Sequence, residues 1–261
     1  MPAVEIDDPS LDWMFVPTPW LPEDSAWTGH IPFAHWLVAR VRPAIIVELG
    51  THSGASYSAF CEAALKTSPF SRCFAVDTWL GDQHAGRYPE EIYAALAAFN
   101  AQRYRRFSVL LRKTVNAAVA DFADGSVDLL HIDGLHTYEA VAEDFTAWRP
   151  KLSARAVVLF HDTNERHADF GVWRFWAELR RSSPGFEFLH SHGLGVLQYG
   201  SDVPAVARLC ALDAAGIEKL RHRFQFLGEQ VVLRSRLLAT RSREAEEPPG
   251  GASLDPLTKG R

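Results

Sequence analysis

The chain has 261 residues and a net charge of −5, enough to bury one sizeable core and too acidic for a protein whose main work is gripping a phosphate backbone. Its 3 cysteines, Cys61, Cys73 and Cys210, stand apart with no Cys-x-x-Cys pair, which argues against a disulfide framework or zinc knuckle and suits small buried side chains in a reducing compartment. No apolar run reaches the roughly 18 residues of a membrane span and no basic-then-apolar leader opens the chain, so the expected location is the cytoplasm.

Residues 1–28 are rich in Pro and aromatic residues without a regular period, among them Trp13, Trp20 and Trp27. They read as an arm that straps the domain or closes over a ligand. Ile31, Ala34, Leu37 and Val38 recur at helical spacing, with Pro43 as the stop. Next comes Ile45-Ile-Val-Glu-Leu-Gly-Thr-His-Ser-Gly-Ala55, a strand buried on both faces followed by a glycine turn and a helix over 57–66. Gly50 can take the positive φ of a tight turn, and Gly54 lets a ligand or the following helix approach closely. The pattern is acidic-x-Gly-x-x-x-Gly and not Gly-x-Gly-x-x-Gly. Glu48 at the strand tip would repel a pyrophosphate but attract a cationic or hydroxyl-bearing ligand.

A second strand, 72–77, ends in Asp77, where a nucleoside-binding unit places the acid that accepts the ribose hydroxyls. The loop 78–87 carries Trp79, Asp82 and His84 at the carboxyl edge of the sheet, the edge at which open α/β sheets bind ligands. A helix over 90–104, a strand over 107–111 and a short helix over 115–122 follow. The strand 127–133 closes on Asp133, a helix carries Val141, Phe145 and Trp148, and the strand 156–160 runs into His161 and Asp162. After a helix over 171–181, strands 186–190 and 194–199 form a terminal antiparallel hairpin, which a dehydrogenase-type double unit would not show. Beyond Val203 the apolar residues Ile217, Leu220, Phe224, Leu227, Val231 and Leu238 keep a narrow helical stripe, which serves equally to pack back on the domain or to pair with a second copy. From Arg241 onward the sequence reads as a disordered linker. The expected organisation is an arm (1–28), a catalytic domain (29–203), a helical extension (204–240) and a tail (241–261).

Asp77, Asp133 and Asp162 end three parallel strands, so they converge on one edge. Asp133 and Asp162, with His136 and His161 beside them in sequence, can hold a hard divalent cation, remove a proton from a hydroxyl, or merely cap loops and helices.

Glu48-Leu-Gly-Thr-His-Ser-Gly54, Val76-Asp-Thr-Trp79, His131-Ile-Asp-Gly-Leu-His-Thr-Tyr-Glu139 with Asp144 and Trp148, and Leu159-Phe-His-Asp-Thr163 resemble the class I S-adenosylmethionine-dependent methyltransferases. More narrowly, they resemble the family of macrocin O-methyltransferase and cephalosporin-hydroxylase-like proteins found beside bacterial glycosyltransferases. The resemblance spans about residues 26–200. It implies a Rossmann-like α/β sandwich whose seven-stranded, mostly parallel sheet has an antiparallel last strand. It assigns the cofactor to Glu48, Gly50, Thr51, Ser53, Gly54, Asp77, Thr78, Trp79 and Asp133. Asp133 and Asp162 become ligands of Mg2+, with His161 the third metal ligand where the family usually has an acid; histidine is a poorer ligand for Mg2+, which leaves Mn2+ or no metal open. His136 is the candidate base, with Asp133 and His161 beside it in the catalytic group.

The expected function is O-methylation of a hydroxyl on a sugar or glycan-like molecule, with Trp79, Trp148, Trp173 and Trp176 offering aromatic faces to the acceptor. Homodimerisation or association with glycosyltransferases is the expected partnership, and no nucleic acid is involved. Two rivals are a nicotinamide-dependent oxidoreductase and a non-catalytic cofactor-binding module that scaffolds glycan assembly.

Overall fold

The computed structural model describes residues 16–22 and 25–246. Trp13 of the expected arm and residues 247–261 of the expected tail lie outside them. In chain order the elements are α1 (Ile31–Val41), β1 (Ile45–Leu49), α2 (Ala55–Thr67), β2 (Arg72–Asp77), a small ribbon of β3 (Gly81–Asp82) and β4 (Gly86–Arg87), α3 (Glu90–Arg103), β5 (Ser108–Arg112), α4 (Val115–Ala118), β6 (Val127–Ile132), α5 (Tyr138–Trp148), β7 (Leu152–His161), α6 (Val172–Leu179), β8 (Gly185–Phe188), β9 (Leu194–Gln198), α7 (Pro204–Cys210) and α8 (Ala214–Glu246).

Seven strands form one sheet in the order β5-β2-β1-β6-β7-β9-β8. The pairs β1–β2, β1–β6, β2–β5 and β6–β7 are parallel, and β9 runs antiparallel to both β7 and β8. This is the seven-stranded, mostly parallel sheet with an antiparallel last strand that the resemblance implied, and it is unlike a double dinucleotide-binding unit. Central strands are buried on both faces, which is why β1 and β6 are mostly apolar, with Glu48, Asp128 and His131 the buried polar exceptions. One core lies between the sheet and α1, α2 and the carboxyl-terminal helices, the other between the sheet and α4, α5 and α6.

The described part of the arm lies against the glycine turn. The Trp20 indole donates to the Ser53 carbonyl at 2.8 Å and its ring packs on Phe99. Trp27 sits in a 3-10 helix, Ala26–His30, and is buried. The sequence left α8 divided between two uses; its first half packs inward, with Leu220, Phe224 and Val231 buried while Leu238 is exposed. The helix also runs past residue 240 to Glu246, because 241–246 are ordinary helix formers and the first helix breaker is Pro248.

Among the described residues no helix is long and apolar enough to cross a membrane.

Candidate active site

Parallel register builds the site. Glu48 of β1 is the partner of His131 on β6, so the two side chains share a face and bond, Nδ1 of His131 lying 2.9 Å from Oε2 of Glu48. Both are fully buried. Trp27 completes the group by donating its indole N–H to Nε2 of His131 at 3.1 Å. The indole can only donate, so Nε2 accepts and the His131 proton sits on Nδ1, aimed at Glu48. Burial raises the Glu48 carboxyl, against the lowering influence of His131. Its other oxygen, Oε1, is buried without a partner, as is Oγ1 of Thr51 in the following turn.

Gly50 has φ +81° and its missing Cβ would lie 2.2 Å from the Asp133 carbonyl, so the turn can close against β6 only with glycine there. Gly54 also has φ +81°, but the group that approaches it is the Leu96 side chain of α3, 2.6 Å from where a Cβ would stand. Asp77 stitches the turn together: Oδ2 accepts from the backbone of Thr51 and His52, and Oδ1 from that of Trp79. Thr78 caps the start of its own loop by accepting from Leu80 N–H. Trp79 is buried, with its indole donating to the His52 carbonyl. Trp148 and Trp176 are also core, and Trp173 is tied to the Phe170 carbonyl. The expected aromatic acceptor faces of Trp79, Trp148 and Trp176 are therefore corrected to core and loop anchors, since helical or strand spacing alone does not say which side of a tryptophan meets solvent.

Ile132 of β6 pairs with Phe160 of β7, which sets Asp133 level with His161 at the strand tips. Nδ1 of His161 is 3.1 Å from Asp133 and 3.3 Å from Asp162, and its Nε2 lies 3.1 Å from the Ser191 carbonyl. Nε2 of His136 is 3.0 Å from Asp162 and 3.8 Å from Asp133. Asp133, His136 and Asp162 place one ligand atom each within 4.8 Å of one another; His161 approaches the same two carboxylates from behind. Burial opposes charge at every one of these groups, but the opposite charges win. His136 is raised to about 9 and His161 also upward, while Asp133 and Asp162 are held below the usual carboxylate range. Asp162 adopts φ +60° and His52 φ +49°, and such backbone conformations in residues other than glycine gather at functional sites.

These groups open into a cavity of about 480 Å³, lined by Gly50–Ser53, Ser56, Trp27, Tyr88, Asp133, His136, His161, Asp162 and His192 among others. Of the sequence-predicted residues, Gly50, Thr51, Ser53, Asp133, His136, His161 and Asp162 line it; Glu48, Gly54, Asp77, Thr78 and Trp79 stand behind the wall. Trp27 and His131 carry a role that sequence reasoning missed. The signal available was His131 directly opposite Glu48 in neighbouring strands, which requires the register to be known.

Residues 47–163 match the family model described as a methyltransferase domain. The chain is similar there to a methyltransferase domain. Its fold recurs in solved structures: the O-methyltransferase TomG from Streptomyces achromogenes, involved in tomaymycin synthesis and in complex with SAM, is 16% identical with a TM-score of 0.50 over 75% of this chain and 91% of that one. The SAH-bound Podospora anserina methyltransferase is 16% identical, TM-score 0.51, over 66% and 78%. Calicheamicin methyltransferase is 20% identical, TM-score 0.50, over 67% and 79%. An uncharacterised protein of Sinorhizobium fredii, y4gI, is 55% identical over 179 residues, which are 69% of this chain. The chain spans only about a fifth (20%) of the length of that curated relative.

Proposed function

We propose that this protein is an S-adenosylmethionine-dependent O-methyltransferase acting on a hydroxyl of a sugar or glycan-like small molecule, with assistance from a divalent cation. The observation that carries the reading is that the glycine turn and the Asp133–His136–Asp162 cluster open into one cavity.

The residues fit both groups. Thr51 Oγ1, in the turn that lines the cavity, is a buried polar atom left without a partner, as a polar ligand requires. S-adenosylmethionine would supply an already activated sulfonium methyl. Gly50, Thr51 and Ser53 would hold it, with Asp77 fixing the turn and offering its remaining lone pairs to the ribose. Two carboxylates and an imidazole suit Mn2+ better than Mg2+, and a cation there would make an acceptor hydroxyl more acidic. Without a cation, Nε2 of His136 donates to Asp162 at 3.0 Å; with a cation held by Asp133 and Asp162 that proton would be displaced. His136 would then take the hydroxyl proton as the oxygen forms its bond to carbon and the carbon–sulfur bond breaks, or would serve as a ligand of the cation while a carboxylate takes the proton. His52, Tyr88, His167 and His192 give the mouth polar partners for a hydroxyl-rich acceptor. A second copy or a glycosyltransferase would meet the exposed Phe226, Leu233 and Leu237 of α8.

The test is release of S-adenosylhomocysteine on incubation with S-adenosylmethionine and a panel of nucleotide-linked sugars, with Mn2+ or with EDTA. Acceptor-dependent release that EDTA suppresses is expected. Tight cofactor binding with no release on any acceptor would favour the non-catalytic module.

A further inference from the structure

Behind His136, away from the cavity, a second histidine completes a chain of four side chains. Nδ1 of His84 lies 3.3 Å from Nδ1 of His136, and Nε2 of His84 lies 2.7 Å from Oδ1 of Asp169. The far nitrogen of His136, Nε2, faces Asp162 at 3.0 Å. Three segments remote in sequence meet here: the β3–β4 ribbon supplies His84, the loop after β6 supplies His136, and the loop between β7 and α6 supplies Asp169. The ribbon is fixed, since Asp82 accepts from the backbone of His84 and Ala85. Gln83 also reaches Asp169, at 3.2 Å. Phe170 lies nearly parallel to both imidazoles, 4.8 Å from each and inclined 4° to His136 and 21° to His84. The Gly171 N–H holds the His136 carbonyl at 2.8 Å.

The direction of the chain follows from what each atom can donate. A carboxylate only accepts, so Nε2 of His84 carries a proton toward Asp169. Two ring nitrogens 3.3 Å apart share one proton, because two protons would collide and none would leave two lone pairs facing each other. His136 faces two carboxylates and His84 one exposed carboxylate, so the shared proton belongs to His136 and Nδ1 of His84 accepts it. Nε2 of His136 faces a carboxylate in its turn, so it too carries a proton, given to Asp162 at 3.0 Å.

We propose that His84, braced by Asp169, is a positioning residue that accepts the Nδ1 proton of His136 and so aims Nε2 at Asp133 and Asp162, where Nε2 gives its own proton to Asp162 until a cation displaces it. The role of Nε2 rests on the methyl-transfer reading above; the direction of the hydrogen-bond chain does not. It is the orienting arrangement by which a second partner fixes the tautomer and aim of a working histidine.

Two measurements on the full chain test it. In the first, nitrogen-15 NMR of histidine-labelled, cation-free protein reads which nitrogen of each ring bears hydrogen. A proton on Nδ1 of His136 with a bare Nδ1 on His84 is expected, and the reverse would overturn the proposal. In the second, Mn2+ is titrated calorimetrically into wild type, His84→Leu, His84→Gln and Asp169→Asn. His84→Leu should weaken binding by about 10–100-fold. His84→Gln, whose amide can accept from His136 and donate to Asp169, should recover most of the loss, and the exposed Asp169→Asn should fall between. Equal Mn2+ affinity in wild type and a folded His84→Leu would contradict the proposal. If wild type binds no Mn2+, the nitrogen assignment alone decides. Titration of the same proteins with S-adenosylmethionine separates the two readings: failure of wild type to bind it removes the methyltransferase function and leaves the nitrogen result intact, and a loss in His84→Leu alone would contradict a role confined to His136.

Discussion

His136 and Gly50 carry opposite kinds of demand at the residue scale. Gly50 is a backbone requirement: its φ is +81° and a Cβ would stand 2.2 Å from the Asp133 carbonyl. Gly50→Ala should therefore cost about 1–3 kcal/mol for the conformation and more for displacing the β6 tip, and should abolish cofactor binding. Gly86, with φ +75° but nothing within 4 Å of its missing Cβ, is the control; Gly86→Ala should cost only about 1 kcal/mol. Urea denaturation curves of the two variants check the contrast. In the proposed reaction His136 is a chemical requirement. His136→Ala should lower turnover by about 10²–10⁴ while cofactor affinity stays within a few fold, and steady-state kinetics beside calorimetry would show unchanged turnover if His136 has no part in the reaction. The acids and histidines at the strand ends were legible in the sequence, because a parallel sheet brings its carboxyl ends together whatever their separation along the chain. The partners of those residues were not. His84 was one polar residue in a polar loop and Asp169 had no distinguishing neighbour, since loop-to-loop contacts leave no periodic trace.

Helix α8 illustrates what periodicity settles at the scale of an element. Its stripe predicted one apolar face but not what that face meets. Phe224 is fully buried, with its ring 5.5 Å from Phe33 and 5.4 Å from Phe188, so the inner half of the helix is part of the domain core. Phe224→Ala should cost about 3–5 kcal/mol, whereas Leu237→Ala, at an exposed position, should change stability by less than about 0.5 kcal/mol. Similar denaturation midpoints for the two variants would mean that the helix does not pack as described. Strand identities were read well because buried parallel strands are short apolar runs bounded by turn residues. The ribbon of β3 and β4, two residues in each strand, was read only as a loop because nothing so short carries an alternation.

The whole molecule buries His30, His131 and His161 beside its polar site, and its acid limit should show it. Burial, reinforced by His190 and His161, holds the His30 imidazole well below its ordinary value, against a hydrogen bond to the Ser191 carbonyl. The unfolded chain takes up this proton near pH 6.5 and the folded one does not. The stability linked to His30 is therefore complete above that pH and declines as pH falls, by up to about 1.4 kcal/mol per pH unit. His30→Gln, which keeps a donor for Ser191, should flatten the fall in melting temperature between pH 7 and 5; an unchanged slope would show that His30 is not its source. The sheet order, the glycine turn and the acidic strand ends together point to one cofactor, and calorimetric titration of the purified chain with S-adenosylmethionine, with NAD as the comparison ligand, tests that most directly. The account predicts micromolar binding of S-adenosylmethionine and none of NAD. Binding of NAD alone, or of neither, would contradict it.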